Sequence, residues 1–267
     1  MRGCAREWWQ ELAGLVLPAG CAGCGAARQV LCAGCRAALS GARAGPVRPD
    51  VRRARRAGPE GLPAVCAGAR YEGAVRAVVL AHKERGALPL AGPLGGALAA
   101  AVLQAGTGRA GGGGAVGADG ELALVPVPSA RRTVRARGHD PARRIALAAS
   151  GRLRRAGTAA RVAPVLRLRR AVADQAGLGA RERLENLAGA LEVCPGGARL
   201  TAGARIVLVD DVITTGATLA EAARALRAAG LGVGAAAVVA APAESFVEAG
   251  SYGRIRSATR TGQKSCE

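Results

Sequence analysis

Aromatic side chains are nearly absent from this chain of 267 residues, which has two Trp, two Tyr and one Phe. Half of its residues are nonetheless hydrophobic, so a core must be built from Ala, Leu and Val. The same shortage counts against base stacking as a way of holding single-stranded nucleic acid, because stacking needs aromatic platforms. Lysine is also scarce, two against 36 Arg. With abundant Ala and Gly, this points to a GC-rich coding sequence in which a single Arg carries little meaning. Acids number 19 against 38 basic residues, for a formal net charge of +19. Codon usage alone does not favour Arg over Asp and Glu. The excess implies affinity for polyanions, nucleic acid first, weakened by salt; a generic basic surface would give the same number. No run reaches the roughly 20 apolar residues of a membrane span. Glu7 and Glu11 make a poor export signal, and a helix over 6–17 with Trp8, Leu12, Leu15 and Val16 towards one side fits better. The expected location is cytoplasmic. Two common phosphate loops are missing: there is no G-x-x-x-x-G-K-[ST], and no G-x-G-x-x-G between a strand and a helix.

What is present is concentrated at residues 206–218. Ile206, Val207, Leu208 and Val209 read as a buried strand. Asp210 and Asp211 follow at its carboxyl end, then Val212, Ile213, Thr214, Thr215, Gly216, Ala217 and Thr218, then a helical pattern over 219–229. Ligands of open α/β sheets bind at the carboxyl ends of strands. A helix start offers free N–H groups and the positive end of its dipole to a phosphate. Gly216 permits close backbone approach, Thr214, Thr215 and Thr218 add hydroxyl donors, and Thr218 with Glu221 fits a capping box. Two carboxylates can accept hydrogen bonds from a sugar diol, directly or through a divalent cation. The sum is a ribose 5-phosphate site, against the plainer reading of a capping turn with two solvated acids.

The N-terminal region holds five of the eight cysteines. Cys21, Cys24, Cys32 and Cys35 form two C-x-x-C pairs, which can complete a tetrahedral zinc site. So small a lobe buries little, and a metal would supply its folding energy. Disulfides, a redox pair and an iron–sulfur cluster are the competing readings. Cys4, Cys66, Cys194 and Cys266 lack such spacing and read as free thiols. Composition divides the chain into a helix and Cys4 zinc lobe at 1–45, a Pro- and Arg-rich connector at 46–62, a large unit at 63–242 and a polar tail at 243–267 expected to be disordered. In the large unit, strands are expected over 64–71, 122–127, 161–168, 188–193, 204–209 and 233–240. Helices are expected over 72–84, 88–104, 140–156 and 219–229, with a flexible glycine run at 111–114. β-Branched runs alternating with helices argue for an α/β fold, a mostly parallel sheet flanked by helices.

A second anion site is expected where the strand ending in Val125, Pro126, Val127 and Pro128 meets Ser129, Arg131 and Arg132. Arg135, Arg137, Gly138 and His139 continue that basic stretch, against the plainer reading of a solvated Arg-rich loop.

Residues 209–218 resemble the phosphoribosyl pyrophosphate (PRPP) signature of type I phosphoribosyltransferases. The wider set is Cys21, Cys24, Cys32 and Cys35, Tyr71 to Gly73 leading to Lys83 and Gly86, the Val-Pro-Val-Pro turn, Arg137-Gly138, Asp174-Gln175, Arg183 with Asn186-Leu187, and the 209–218 segment. In that order it resembles the ComF-like proteins of bacterial DNA uptake, also described as amidophosphoribosyltransferase-like. The chain departs from them at His139, Asp140 and Pro141, where an aromatic, Asn and Gln are usual, and in its tail.

The resemblance implies a type I phosphoribosyltransferase fold with a zinc lobe. Asp210 and Asp211 would serve the ribose hydroxyls and Mg2+. Thr214, Thr215, Gly216, Ala217 and Thr218 would hold the 5-phosphate; Arg131, Arg132 and Lys83 would serve the pyrophosphate, although a solvated helix-end role is the favoured reading of Lys83. Residues 170–187 would form a lid. Thr214 stands where purine-salvage members carry an Asp, which argues against a purine acceptor. Three functions stand side by side: a PRPP-binding protein of DNA uptake, an active phosphoribosyltransferase of unassigned acceptor, and a basic single-stranded-DNA module without turnover. The implied partners are PRPP, single-stranded DNA, and the DNA-uptake or replication-restart machinery.

Overall fold

With few large side chains to fill a core, helices and sheet must approach closely, and the computed structural model shows where they do. It describes residues 20–49, 61–107, 120–170 and 186–247. The expected helix at 6–17, the glycine run at 111–114, most of the connector and of the lid, Arg183, Asp174-Gln175, and the tail past 247 lie outside those residues.

In chain order the elements are α1 (Ala33–Ala38), β1 (Gly45–Val47), β2 (Val65–Arg70), α2 (Gly73–Arg85), α3 (Ala91–Thr107), β3 (Leu122–Pro126), α4 (Arg131–Arg137), α5 (Pro141–Arg155), β4 (Ala160–Val162), β5 (Leu166–Leu168), β6 (Leu191–Val193), α6 (Gly197–Thr201), β7 (Arg205–Val212), α7 (Ala217–Ala228) and β8 (Val233–Ala241). Six strands form one sheet in the order β1-β2-β8-β7-β3-β4. All its neighbours are parallel except β1 and β2. The antiparallel β5–β6 pair stands apart.

The strands are buried on both faces. Val207 and Val209 of β7 join Leu122 and Leu124 of β3 in a core with α2, α3, α5 and the cysteine lobe. Ile206 and Leu208 join Ala123 and Val125 in a second core under α7 and the β5–β6 pair. Small residues set the spacing. A Cβ on Gly68 would sit 2.1 Å from the Ala97 carbonyl oxygen, and one on Gly95 2.6 Å from the Ala148 Cβ. α3 therefore lies directly on β2 and against α5. The stretch Leu88–Gly106 is long and apolar enough by composition to cross a membrane. Pro89, Pro93, four glycines and Gln104 interrupt its apolar residues. Here it is a core helix, with Leu90, Leu94 and Leu98 buried.

Several expectations are corrected. The strand expected over 161–168 is two strands in two sheets, broken around Pro164, which has no N–H for a ladder. β7 does not stop at Val209 but runs to Val212, because β8 lies beside it and pairs with Asp210 and Val212. The Arg-rich loop expected after Pro128 is the helix α4 over part of its length. The start of the tail is ordered, since a short 3-10 turn, Ala243–Ser245, precedes a bridge between Phe246 and Val47. There the Arg48 N–H donates to the Ser245 carbonyl at 2.8 Å. Pro46 and Val47, at the head of the expected connector, belong to β1.

Candidate functional site

Adjacent strands β3 and β7 send the chain in opposite directions, β3 through α5 to β4 and β7 through α7 to β8. Such a switch point opens a crevice at the carboxyl ends of the strands. A cavity of about 1130 Å3 lies there. Pairing of β3 with β7 ends at Pro126 and Val209, so Asp210 and Asp211 project beyond β3 into the cavity wall. Val127, Pro128 and Ser129 form the facing edge.

The acid pair is not free. Lys83, in the last turn of α2, places its Nζ 2.6 Å from Asp211 Oδ2. Asp211 is buried and Lys83 about one third exposed. Burial alone would lower the Lys83 ammonium; the charges of Asp211 and then Asp210 outweigh it and hold it above its ordinary value. Burial, and then the neighbouring Asp211, push the Asp210 carboxyl upward against the pull of Lys83. The two acids also bond in sequence, Asp210 Oδ1 accepting from the Asp211 N–H and Asp211 Oδ1 from the Val212 N–H, both at 2.8 Å. A solvated helix-end role for Lys83 is thus corrected. It is one of only two lysines beside 36 arginines.

Beyond the acids, Thr214 and Thr218 line the cavity. Thr215 is buried, with its Oγ1 accepting from the Ala217 N–H at 3.4 Å. Gly216, at φ 76°, is the N-cap of α7. A Cβ there would meet Leu62 and Pro49 at 3.0 Å, so the left-handed turn and its packing on those two residues both call for glycine. The capping box is not formed: α7 starts at Ala217, and Glu221 reaches instead to β6. There Glu221 Oε1 accepts from the Leu191 N–H at 3.0 Å, while the Arg224 guanidinium bonds both carboxylate oxygens at 2.7 and 2.8 Å. Burial opposes this charge, yet Arg224 and the Leu191 N–H hold the Glu221 carboxyl below its ordinary value.

Arg132, Thr133 and Ala136 of α4 line a further side, and Leu168, Leu187 and Leu191 the apolar one. Arg131 is the first residue of α4. Arg137 bonds Glu84 of α2 at 2.5 Å. The departure at 139–141 has a structural meaning. His139 packs edge-on against the buried His82, with ring centroids 5.2 Å apart, and its Nε2 lies 3.1 Å from the His82 carbonyl oxygen. Asp140 caps α5 by accepting from the Arg143 N–H, with Pro141 following as its first residue. The α4–α5 corner is thereby fixed beside Lys83.

The four expected cysteines gather some distance along the chain from this cavity. The sulfur atoms of Cys21, Cys24, Cys32 and Cys35 all lie within 4.8 Å of one another, and Cys24 and Cys32 are 3.6 Å apart. A tetrahedral zinc with bonds of 2.3 Å sets its sulfurs about 3.8 Å apart. The Cys32 N–H donates to Cys21 Sγ at 3.3 Å, and this bond first lowers the Cys21 thiol, to about 6. The cluster can hold a metal such as zinc. Cys21, Cys35 and Leu39 are part of the core shared with α2 and α3, so the lobe is continuous with the sheet domain. Cys66 and Cys194 are free thiols.

Replacing Lys83 leaves the acid pair without its countercharge. Lys83→Met should lower stability at pH 8 by about 1–3 kcal/mol, less than for a fully buried pair because Lys83 is a third exposed. An acid whose folded value is raised costs stability as pH climbs from its unfolded value. The loss should therefore shrink towards pH 5. Denaturant melts of both proteins without added Mg2+ check this; a pH-independent difference would contradict the assigned pairing.

Residues 161–259 match the family model described as phosphoribosyl transferase domain. The match takes in β7, the acid pair and α7 but begins after β3. No curated protein matches the chain. The mostly parallel sheet and its flanking helices have the type I phosphoribosyltransferase fold, residues 161–259 are similar to the phosphoribosyl transferase domain, and a small N-terminal cysteine cluster is joined to them.

Proposed function

We propose that this chain binds PRPP, or another ligand with its ribose 5-phosphate half, in the crevice between β3 and β7. The observation that carries the reading is one cavity whose wall contains both the acid pair ending β7 and the opening turn of α7. The first N–H groups of α7 have no partners within the helix and, with the Thr214 and Thr218 hydroxyls, would hold the 5-phosphate. Thr215, Gly216 and Ala217 would shape that turn from behind. Asp210 would accept from the ribose hydroxyls, while the Lys83 ion pair holds Asp211 in place. Arg132, on the α4 side, and the neighbouring Arg131 would face the pyrophosphate.

Mg2+ fits the residues present, because hard carboxylate oxygens stand at the cavity wall. When bound, it would add positive charge beside the pyrophosphate. If transfer occurs, the bond from C1 to the pyrophosphate oxygen breaks with its electron pair leaving on pyrophosphate. A lone pair of the acceptor forms the new bond at C1. The chain's part would be positioning, charge neutralisation and exclusion of water by Leu168, Leu187 and Leu191. Thr214 supplies no general base, which favours an acceptor that needs none.

The finer reading takes the chain as a ComF-like protein of DNA uptake, acting in the cytoplasm on single-stranded DNA with uptake or replication-restart proteins. Its support is the ordered motif set from Cys21 to Thr218 and the charge of +19. We assign zinc to Cys21, Cys24, Cys32 and Cys35. Elemental analysis of the purified chain should find one zinc per molecule, lost in the Cys24→Ser, Cys35→Ser double variant; zinc retained in that variant would refute the assignment.

Calorimetry tests the main reading. The double variant Asp210→Asn, Asp211→Asn should bind PRPP about tenfold more weakly or worse, about 1.4 kcal/mol. Its affinity for inorganic phosphate should stay within about twofold, since hydrogen bonds to the sugar and not the phosphate are lost. Equal PRPP affinity in variant and wild type would sink the site assignment.

A further inference from the structure

Glu221 is an acid with only 6% of its side chain exposed, and it serves no helix cap. The β5–β6 ladder pairs Leu168 with Leu191, and the Arg169 N–H donates to the Ala190 carbonyl at 2.9 Å. In an antiparallel ladder, hydrogen-bonded and non-bonded pairs alternate, so Leu191 turns its N–H and C=O outward. Those two groups meet α7. Glu221 Oε1 accepts from the Leu191 N–H at 3.0 Å, and Arg224 Nη2 donates to the Leu191 carbonyl at 3.1 Å. Two side chains one turn apart thus close the free edge of β6 as a third strand would.

The same geometry joins two parts of the cavity. Thr218, at the opening of α7, lies three residues before Glu221. The side chain of Leu191 is in the apolar wall with Leu168 and Leu187. That wall is also tied at its base, where Arg170 Nη2 donates to the carbonyls of Asn186 and Ala188 at 2.8 and 3.0 Å. We propose that Glu221 and Arg224 are positioning residues that lock the β5–β6 wall to the opening turn of α7, so that a ligand's phosphate seated on that turn also orders the wall facing its other end. This rests on the phosphoribosyl reading of the cavity. A helix and a strand edge joined by packing alone would slide; a carboxylate and a guanidinium gripping both backbone groups of one residue fix register as well as distance.

Hydrogen exchange of the full chain, read by mass spectrometry with and without PRPP, tests the coupling. In wild type, PRPP should slow exchange about tenfold or more in peptides covering 214–219 and in those covering 187–193. In Glu221→Ala and in Arg224→Ala, protection at 214–219 should persist while the ligand-induced slowing at 187–193 falls to within about twofold of none. Arg224→Lys, which keeps charge but not the paired geometry, should restore only part of it. Arg224 is half exposed, so its variants keep the test open if Glu221→Ala fails to fold. A purely structural brace would change basal exchange and leave the response to PRPP intact. A wall that responds fully in Arg224→Ala, or fails to respond in wild type while 214–219 is protected, overturns the coupling alone. Absence of protection at 214–219 in wild type overturns the phosphoribosyl reading and the coupling with it.

Discussion

Two carboxylates side by side at the end of a buried strand repel each other and have lost much of their hydration. The Lys83–Asp211 ion pair, at 2.6 Å, answers that problem, and much of the site follows from it. It fixes the end of α2 against β7. Asp210, beside it, lines the cavity as well. The His82–His139 and Glu84–Arg137 contacts then hold α2 to the α4–α5 corner on either side of Lys83. A buried pair of this kind contributes little net stability, but removing one partner is costly. That asymmetry suits a site whose charges must stay in register before a ligand arrives.

The rest of the molecule brings these groups together with small residues. Gly68 lets α3 lie on β2, Gly95 lets it meet α5, and the alanines of β8 keep the middle of the sheet thin. The cysteine lobe extends the same core rather than forming a separate body, since Cys21, Leu31, Cys35 and Leu39 pack with residues of α2 and α3. A metal at the four cysteines would therefore brace the helix that carries Lys83.

Local signals were readable from the sequence and long-range ones were not. The strand from Ile206, the two acids and the glycine-bearing helix start lie within thirteen residues, and their order alone marked a strand end that the structure puts at one cavity. The strand period and the Pro-Val-Pro turn located β3, and cysteine spacing located the four sulfurs. Lys83 could not be paired from spacing, because its partner is 128 positions away. Thr218, three residues before Glu221, makes a capping box the local expectation; the buried edge of β6 offers Glu221 better partners than its own helix. The strand over 161–168 looked continuous because its apolar pattern runs through Pro164, whereas the missing N–H there frees the chain to leave the sheet. At Gly216 the sequence shows only the glycine; Leu62 and Pro49, distant in sequence, occupy the space a side chain would need.

The central claim is that the turn between β7 and α7 receives a ribose 5-phosphate. Amide proton–nitrogen NMR of the labelled chain, titrated with ribose 5-phosphate, measures this at each residue. The account predicts that the largest shift changes fall on Thr214, Thr215, Gly216, Ala217 and Thr218, with smaller ones at Asp210 and Asp211. Changes confined to the arginines of α5, with the 214–218 amides unmoved at saturation, would contradict it.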